Sequence, residues 1–427
     1  MPSPTQLLEQ AIAAFAADGD PSALTAGETQ QAAHALASGP MTPQEAELVL
    51  VTFGLPLIQL SLNEASPGEL DAIAAALPVF DQSQAHYLEP SDFDRILKRF
   101  DLAVRSFRNL LDYDESEPAV FKTSARWYGA LAAAWPVGHP KAGYFLVCQS
   151  ATLHTLFHIT GDRAALDDAV EAGRRGLELM PRDNPNWASI ASSYSDTLRI
   201  LYEQTSDLAV LEQSVSLGRQ ALHEVPDADS DKPNLASALV GPLMRYYEAT
   251  GDRAAGEEGV AVARLALQLS QPGDPAIPGR ASNLAAAANT LARATGDLAL
   301  AEEAVEAGQT AVAAREAPTP YRATALGNLC SALHVLAELG GGLDTRHRAV
   351  AVGREAVDLT PVTDPGKPDQ ADSLAQALFG LWEATGDRAA LEEAITSWEL
   401  ALELAPEGFL ARDRYEDRLA TAKAARP

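Results

Sequence analysis

The chain has 427 residues, with 59 Asp and Glu against 32 Lys and Arg for a net charge of -27, and its 47% hydrophobic and 21% charged residues match an ordinary water-soluble fold. That length exceeds one small core, so several domains or an extended array are expected. The acidic balance holds both before and after residue 160 and excludes a nucleic-acid partner, while the two cysteines, Cys148 and Cys330, exclude a disulfide framework and fit a reducing, cytoplasmic compartment.

The amino terminus, MPSPTQLLEQAIAAF, has no cationic start and carries Glu9 in its first apolar stretch, so no secretory signal is expected. Helical patterning runs over Leu7 to Ala17, Gln44 to Leu62 and Glu69 to Leu77, punctuated at Gly39-Pro40, Pro67-Gly68 and Glu89-Pro90. The most apolar run, Ala46 to Leu62, contains Glu47, Gly54, Pro56 and Gln59. It falls short of the roughly 20 apolar residues of a membrane span and predicts a buried helix kinked at Pro56. Ile96 to Asp112 is strongly amphipathic and reads as a degenerate second helix of an early unit. Residues 1–140 are therefore expected to be a helical cap or degenerate repeats. The other reading is a segment that folds into a groove or mediates homo-oligomer contact.

From Lys141 the chain repeats every 45 residues. Asp162, Asp207, Asp252, Asp297 and Asp387 fall in one register and close the tripeptides TGD, TSD, TGD, TGD and TGD, while Gly342 stands in the vacant place. Glycine ends one helix in the left-handed conformation and the following Asp caps the next. Apolar columns at Leu153, Leu198, Leu243, Leu333 and Leu378, and at Leu156, Leu201, Tyr246, Leu291, Leu336 and Leu381, give the first helix its stripe. The second helix repeats a small residue at Gly173, Gly218, Ala263, Gly308 and Gly353, which predicts close helix packing. The expected fold is all-α: an α-solenoid of helix-turn-helix units over residues 141–410, closed by a capping helix over 411–427.

The second helices resemble tetratricopeptide repeats, because Ala169, Gly176 and Pro181, Ala349, Ala356 and Pro361, and Ala394, Ala401 and Pro406 keep that family's small-small-proline spacing. A 45-residue unit departs from the 34-residue form of the family and has the length of HEAT and armadillo units, the rival fold. With Thr-Gly-Asp between the helices, it is similar to the arrays that precede caspase-like CHAT protease domains in many bacterial proteins. No CHAT domain follows the array, so the resemblance implies architecture, and any protease would sit on a separate polypeptide.

Walker A, Rossmann, GxSxG and HExxH patterns are absent, and no catalytic, metal or cofactor residue is assigned. His154 and His158 lie one turn apart, a spacing two metal-bound imidazoles can share, but with no third ligand nearby they read as groove-lining or partly buried histidines. Cys330 and His334 are also one turn apart and read as an inert cysteine beside a histidine.

In a repeat array the columns that hold the fold recur, and a column that varies between copies faces solvent or ligand. The column after the core leucine reads His154, Arg199, Met244, Asn289, His334 and Phe379, and the column three residues before that leucine's successor includes Asp196, Ser331 and Gln376. Together with His158 and Arg293 these form the candidate groove, with Met244 and Phe379 as apolar anchors and Glu203, Glu248, Glu338 and Glu383 at its rim. The expected role is a scaffold or adaptor that binds a protein or peptide, a cationic segment by the sign of the rim. The alternative is an enzyme or small-molecule binder using the groove histidines.

Overall fold

Three helix starts carry the same local logic, a Ser or Thr followed by Pro and, two residues later, Gln or Glu: Ser3-Pro4, Thr42-Pro43 and Ser66-Pro67 each form a capping box with Gln6, Glu45 and Glu69. They open α1 (Pro4–Asp18), α4 (Pro43–Val49) and α6 (Pro67–Ala76), with α2 (Ser22–Thr25) and α3 (Gly27–Ala37) between the first two. In the computed structural model, residues 2–59, 66–110, 118–136, 138–313, 319–364, 366–405 and 411–426 are described. Asp112, Leu62 and Pro406, each used in the sequence reading, lie outside the described residues.

Among the described residues every regular element is helical, and the array is an α-solenoid of helix-turn-helix repeats. No described helix is long and apolar enough to cross a membrane. The chain divides into two units, Met1–Thr197 and Leu198–Pro427.

The first unit continues through α5 (Leu55–Gln59), α7 (Pro90–Leu110), α8 (Pro118–Ala133), α9 (Pro140–Thr160), α10 (Arg163–Leu179) and the start of α11 (Trp187–Thr205). The expected kink at Pro56 is absorbed by a π-helical turn, Leu50–Gly54, between α4 and α5. The wider turn accommodates a proline that can neither donate to nor pack under the carbonyl four residues back. Gly54 leaves room for Ile96, whose Cδ1 would lie 2.6 Å from an added Cβ. Glu47 is buried inside this apolar helix because its Oε1 accepts the N–H groups of His86, Tyr87 and Leu88 at 2.8, 2.6 and 2.9 Å. The apolar face of α7, Ile96, Phe100 and Val104, is fully buried in the core with Leu48, Leu50 and Trp127. That face is spent on folding the first unit.

The second unit comprises the end of α11 and α12 (Leu208–Glu224), α13 (Lys232–Thr250), α14 (Arg253–Gln268), α15 (Ile277–Thr295), α16 (Leu298–Ala313), α17 (Thr319–Leu336), α18 (Gly342–Leu359), α19 (Lys367–Thr385), α20 (Arg388–Leu404) and α21 (Arg412–Ala424). Its core runs continuously through Leu243, Leu291, Leu333 and Leu378 to Leu419 of α21.

The tripeptide between paired helices works as expected and adds a role for its threonine. Gly161, Gly251, Gly296 and Gly386 are left-handed, and Ser206 takes the same conformation at φ 55. Asp162, Asp207, Asp252, Asp297 and Asp387 accept the N–H two residues on at 2.9–3.0 Å. Thr160, Thr205, Thr250 and Thr385 each donate to a carbonyl four residues back and accept the N–H of the capping Asp. Where Gly342 replaces Asp, a π-helical turn over Ala337–Gly341 joins the helices and no side chain caps the second.

The small column of the second helices also has its expected cause. A Cβ on Gly173 would lie 2.5 Å from Tyr194 Cδ2, and one on Gly353 would lie 2.8 Å from Cys330 Sγ. Two further regularities hold neighbouring repeats. Buried Lys232 and Lys367 donate to carbonyls at the end of the preceding second helix, Leu222 and Val225, and Val357 and Thr360, and Arg412 does the same for Leu402 and Ala405. A cation at a helix carboxyl end meets both its unpaired carbonyls and its dipole. On the outer faces Arg219 pairs with Glu258, Arg264 with Glu303 and Arg354 with Glu393, each through two guanidinium nitrogens.

Candidate functional site

In the first unit, α9 carries His154, half-buried, and His158, exposed. Their Nε2 atoms are 2.9 Å apart, and Asp196 of α11 places Oδ2 3.9 Å from His154 Nε2. Among the described residues no group of three His, Cys, Asp or Glu side chains is close enough to hold a metal.

In the second unit the first helices α13, α15, α17 and α19 pack on one another, and side chains reach across two repeats on that face. Arg293 of α15 donates to Gln376 Oε1 of α19 at 2.9 Å. Exposure on this face varies from repeat to repeat.

The candidate column divides accordingly. Met244 is buried and its Sδ lies against Gly259, so it is a core side chain and not an exposed anchor. Asn289 is buried with Oδ1 unpartnered. Ser331 shares a hydrogen bond with Ser373 at 3.1 Å. Phe379 is half-buried against Trp382 and Trp398, at ring separations of 5.0 and 5.8 Å. Arg199 is half-buried and bonds Glu203 at 2.7 Å. Arg245 donates to both Glu203, at 2.9 Å, and Glu248, at 2.8 Å. Two of the four rim carboxylates are thus neutralised internally, which removes much of the basis for expecting a cationic segment.

His334 is buried, and Gly380 of α19 is bare enough to admit both its ring and Arg346 of α18: a Cβ there would lie 2.8 Å from Arg346 Nη1 and 3.0 Å from His334 Cε1. Burial, followed by the guanidiniums of Arg293, Arg346 and Arg418, pushes the imidazole from its usual 6.5 down to about 3. Glu338 Oε1, 3.4 Å from Nε2 but half-exposed, does not offset them. Cys330 beside it is fully buried and donates to Ser373 O at 3.5 Å. Burial, then Asp372, raises its thiol to about 12, so no thiolate and base pair is assembled.

Asp372, absent from the sequence-based candidates, organises this end of the unit. It is buried, and it accepts from Arg418 at 2.7 and 2.6 Å, from Trp398 Nε1 at 2.8 Å and from Gln376 at 2.9 Å. Nothing in the repeat flagged it, because its main partner comes from α21, outside the repeat. Arg346 was missed for a related reason: it lies just after the irregular Gly340-Gly341-Gly342 turn.

No protein-family model matches the sequence, and no curated protein matches it. Among solved structures the chain is similar to the nuclear import adaptor Nro1 of S. pombe, at 15% identity and TM-score 0.37 over 65% of this chain and 99% of that one. It is also similar to a signal transduction ATPase (STAND) protein with a tetratricopeptide repeat sensor from Pyrococcus horikoshii, at 13% identity and TM-score 0.36 over 98% and 72% of the chains. Yeast Tom70 is similar at 13% identity and TM-score 0.30 over 98% and 91%. By its own helix pairing the chain is a helical repeat protein.

Proposed function

We propose that the protein is an interaction scaffold that receives a protein or peptide segment on the face formed by the first helices of its second unit. The observation that carries this reading is the density of linked polar side chains there: Arg245 bonds Glu203 and Arg293 bonds Gln376 between repeats, while Arg199 bonds Glu203 and Arg245 bonds Glu248 along one helix. Preordered groups of this kind lower the ordering cost of binding. The 45-residue form of the repeat and its Thr-Gly-Asp turns support a finer version, in which the segment belongs to a protease or other enzyme on a separate polypeptide that the scaffold regulates. Residues 1–140 act in this reading as a cap on the array.

The test is affinity capture from the native host with wild-type protein and with an Arg199→Ala, Arg293→Ala, Gln376→Ala triple variant whose circular dichroism is unchanged. A protein retained by the wild type and lost by the variant supports the reading. Equal retention by both removes this face from the function.

A further inference from the structure

Helix α19 presents three positions on one side, Asp372, Gln376 and Gly380, each one turn from the next. Three guanidiniums from three other elements dock on them in order. Arg418 of α21 meets the Asp372 carboxylate at 2.6 Å, Arg293 of α15 meets Gln376 Oε1 at 2.9 Å, and Arg346 of α18 meets the Gly380 carbonyl at 2.9 Å and the Ala337 carbonyl at 3.5 Å. Only the first has an anionic partner. Arg293 and Arg346 are held by neutral oxygens, and among the described residues no carboxylate lies within 4.0 Å of either. Arg293 is exposed and Arg346 half-buried, so both can be approached from solvent.

Carboxylates act on the pair only from further away, Glu338 and Asp372 on Arg293. His334 beneath Arg346 is buried and neutral, and Asp372 is already spent on Arg418, Trp398 and Gln376. Burial of part of the group, then the nearby Arg418, moves the Arg293 guanidinium below its ordinary value, and Glu338 and Asp372 offset this only in part. A guanidinium held only by neutral acceptors gains when a carboxylate replaces one of them, because opposite charge adds Coulomb attraction and the carboxylate's two oxygens match the planar fork of N–H donors.

We infer that Arg293 and Arg346 receive the carboxylate side chains of an acidic peptide segment, an inference that rests on the scaffold reading above and reverses the sign of the segment expected from the rim glutamates. The one-turn spacing of the two docking positions, about 5.4–6 Å, is close to the spacing of alternate side chains along an extended peptide, about 6.6 Å. A long polyanion is a poor fit, because the chain as a whole carries a charge of -27 and repels it beyond the reach of two arginines.

The test uses the full chain and three labelled octapeptides of Gly and Ser with Glu, Gln or Lys at alternate positions, followed by fluorescence polarisation at 0.15 M salt. The expected result is that the Glu peptide binds at least about tenfold tighter than the Gln peptide, and that Arg293→Gln with Arg346→Gln removes the difference. Arg293→Gln alone, at an exposed position, lowers binding of the Glu peptide without altering the circular dichroism and guards against misfolding of the double variant. Equal binding of the Glu and Gln peptides, preference for the Lys peptide, no binding of the Glu peptide, or indifference to both substitutions overturns the inference. If it falls while native-host capture still depends on Arg199, Arg293 and Gln376, the scaffold reading stands; if capture is also lost as a discriminator, both fall.

Discussion

The buried imidazole of His334 makes stability depend on pH in a defined direction. The unfolded side chain titrates near 6.5 and the folded one near 3, so between these values the unfolded state holds a proton that the folded state does not. Stability therefore rises with pH through this window: the contribution is fully present above the unfolded value and is lost as pH falls toward 3. At pH 5 the unfolded state gains RT ln(1 + 10^1.5), about 2 kcal/mol relative to pH 8. His334→Gln keeps a polar side chain of similar reach and removes the proton, so the variant lacks this part of the acid sensitivity whatever its stability at neutral pH. Urea unfolding followed by circular dichroism at pH 5, 6, 7 and 8 measures it. The wild-type and variant curves should converge by about 2 kcal/mol on going from pH 8 to pH 5. Parallel curves over that range would refute the claim that the ring is held neutral by burial and three guanidiniums.

Other substitutions follow from the packing. Glu47→Ala strands the N–H groups of His86, Tyr87 and Leu88 and should cost roughly 3 kcal/mol or more, read as a drop in urea midpoint, whereas Glu47→Gln retains an acceptor and should cost less. Lys367→Met leaves the Val357 and Thr360 carbonyls without their donor, for a loss of about 1–3 kcal/mol in the same assay, with Lys367→Arg milder. Gly173→Ala should destabilise by about 1–3 kcal/mol despite the better helix propensity of alanine, because its Cβ would meet Tyr194; a rise in melting temperature would show that Tyr194 yields freely. Leu333→Ala, at a site with no solvent exposure, should cost ~2–5 kcal/mol in the urea midpoint.

The sequence by itself determined the repeat. A 45-residue period, glycine and aspartate at each turn, and small residues in the second helices are local or nearest-neighbour requirements, so they leave a periodic trace, and the structure meets them in the left-handed glycines, the Asp caps and the close approach at Gly173 and Gly353. Periodicity could also have exposed Lys232, Lys367 and Arg412, which share one register and one task. It could not say which members of a varying column reach solvent. Met244 and His334 are buried by their neighbouring helices, while Arg293 is exposed. Nor could it join Arg293 to Gln376, 83 positions apart, or Asp372 to Arg418 in a helix outside the repeat. Those pairings depend on the angle at which successive repeats stack, and that angle is set by the sum of many packing contacts that no single segment of sequence contains.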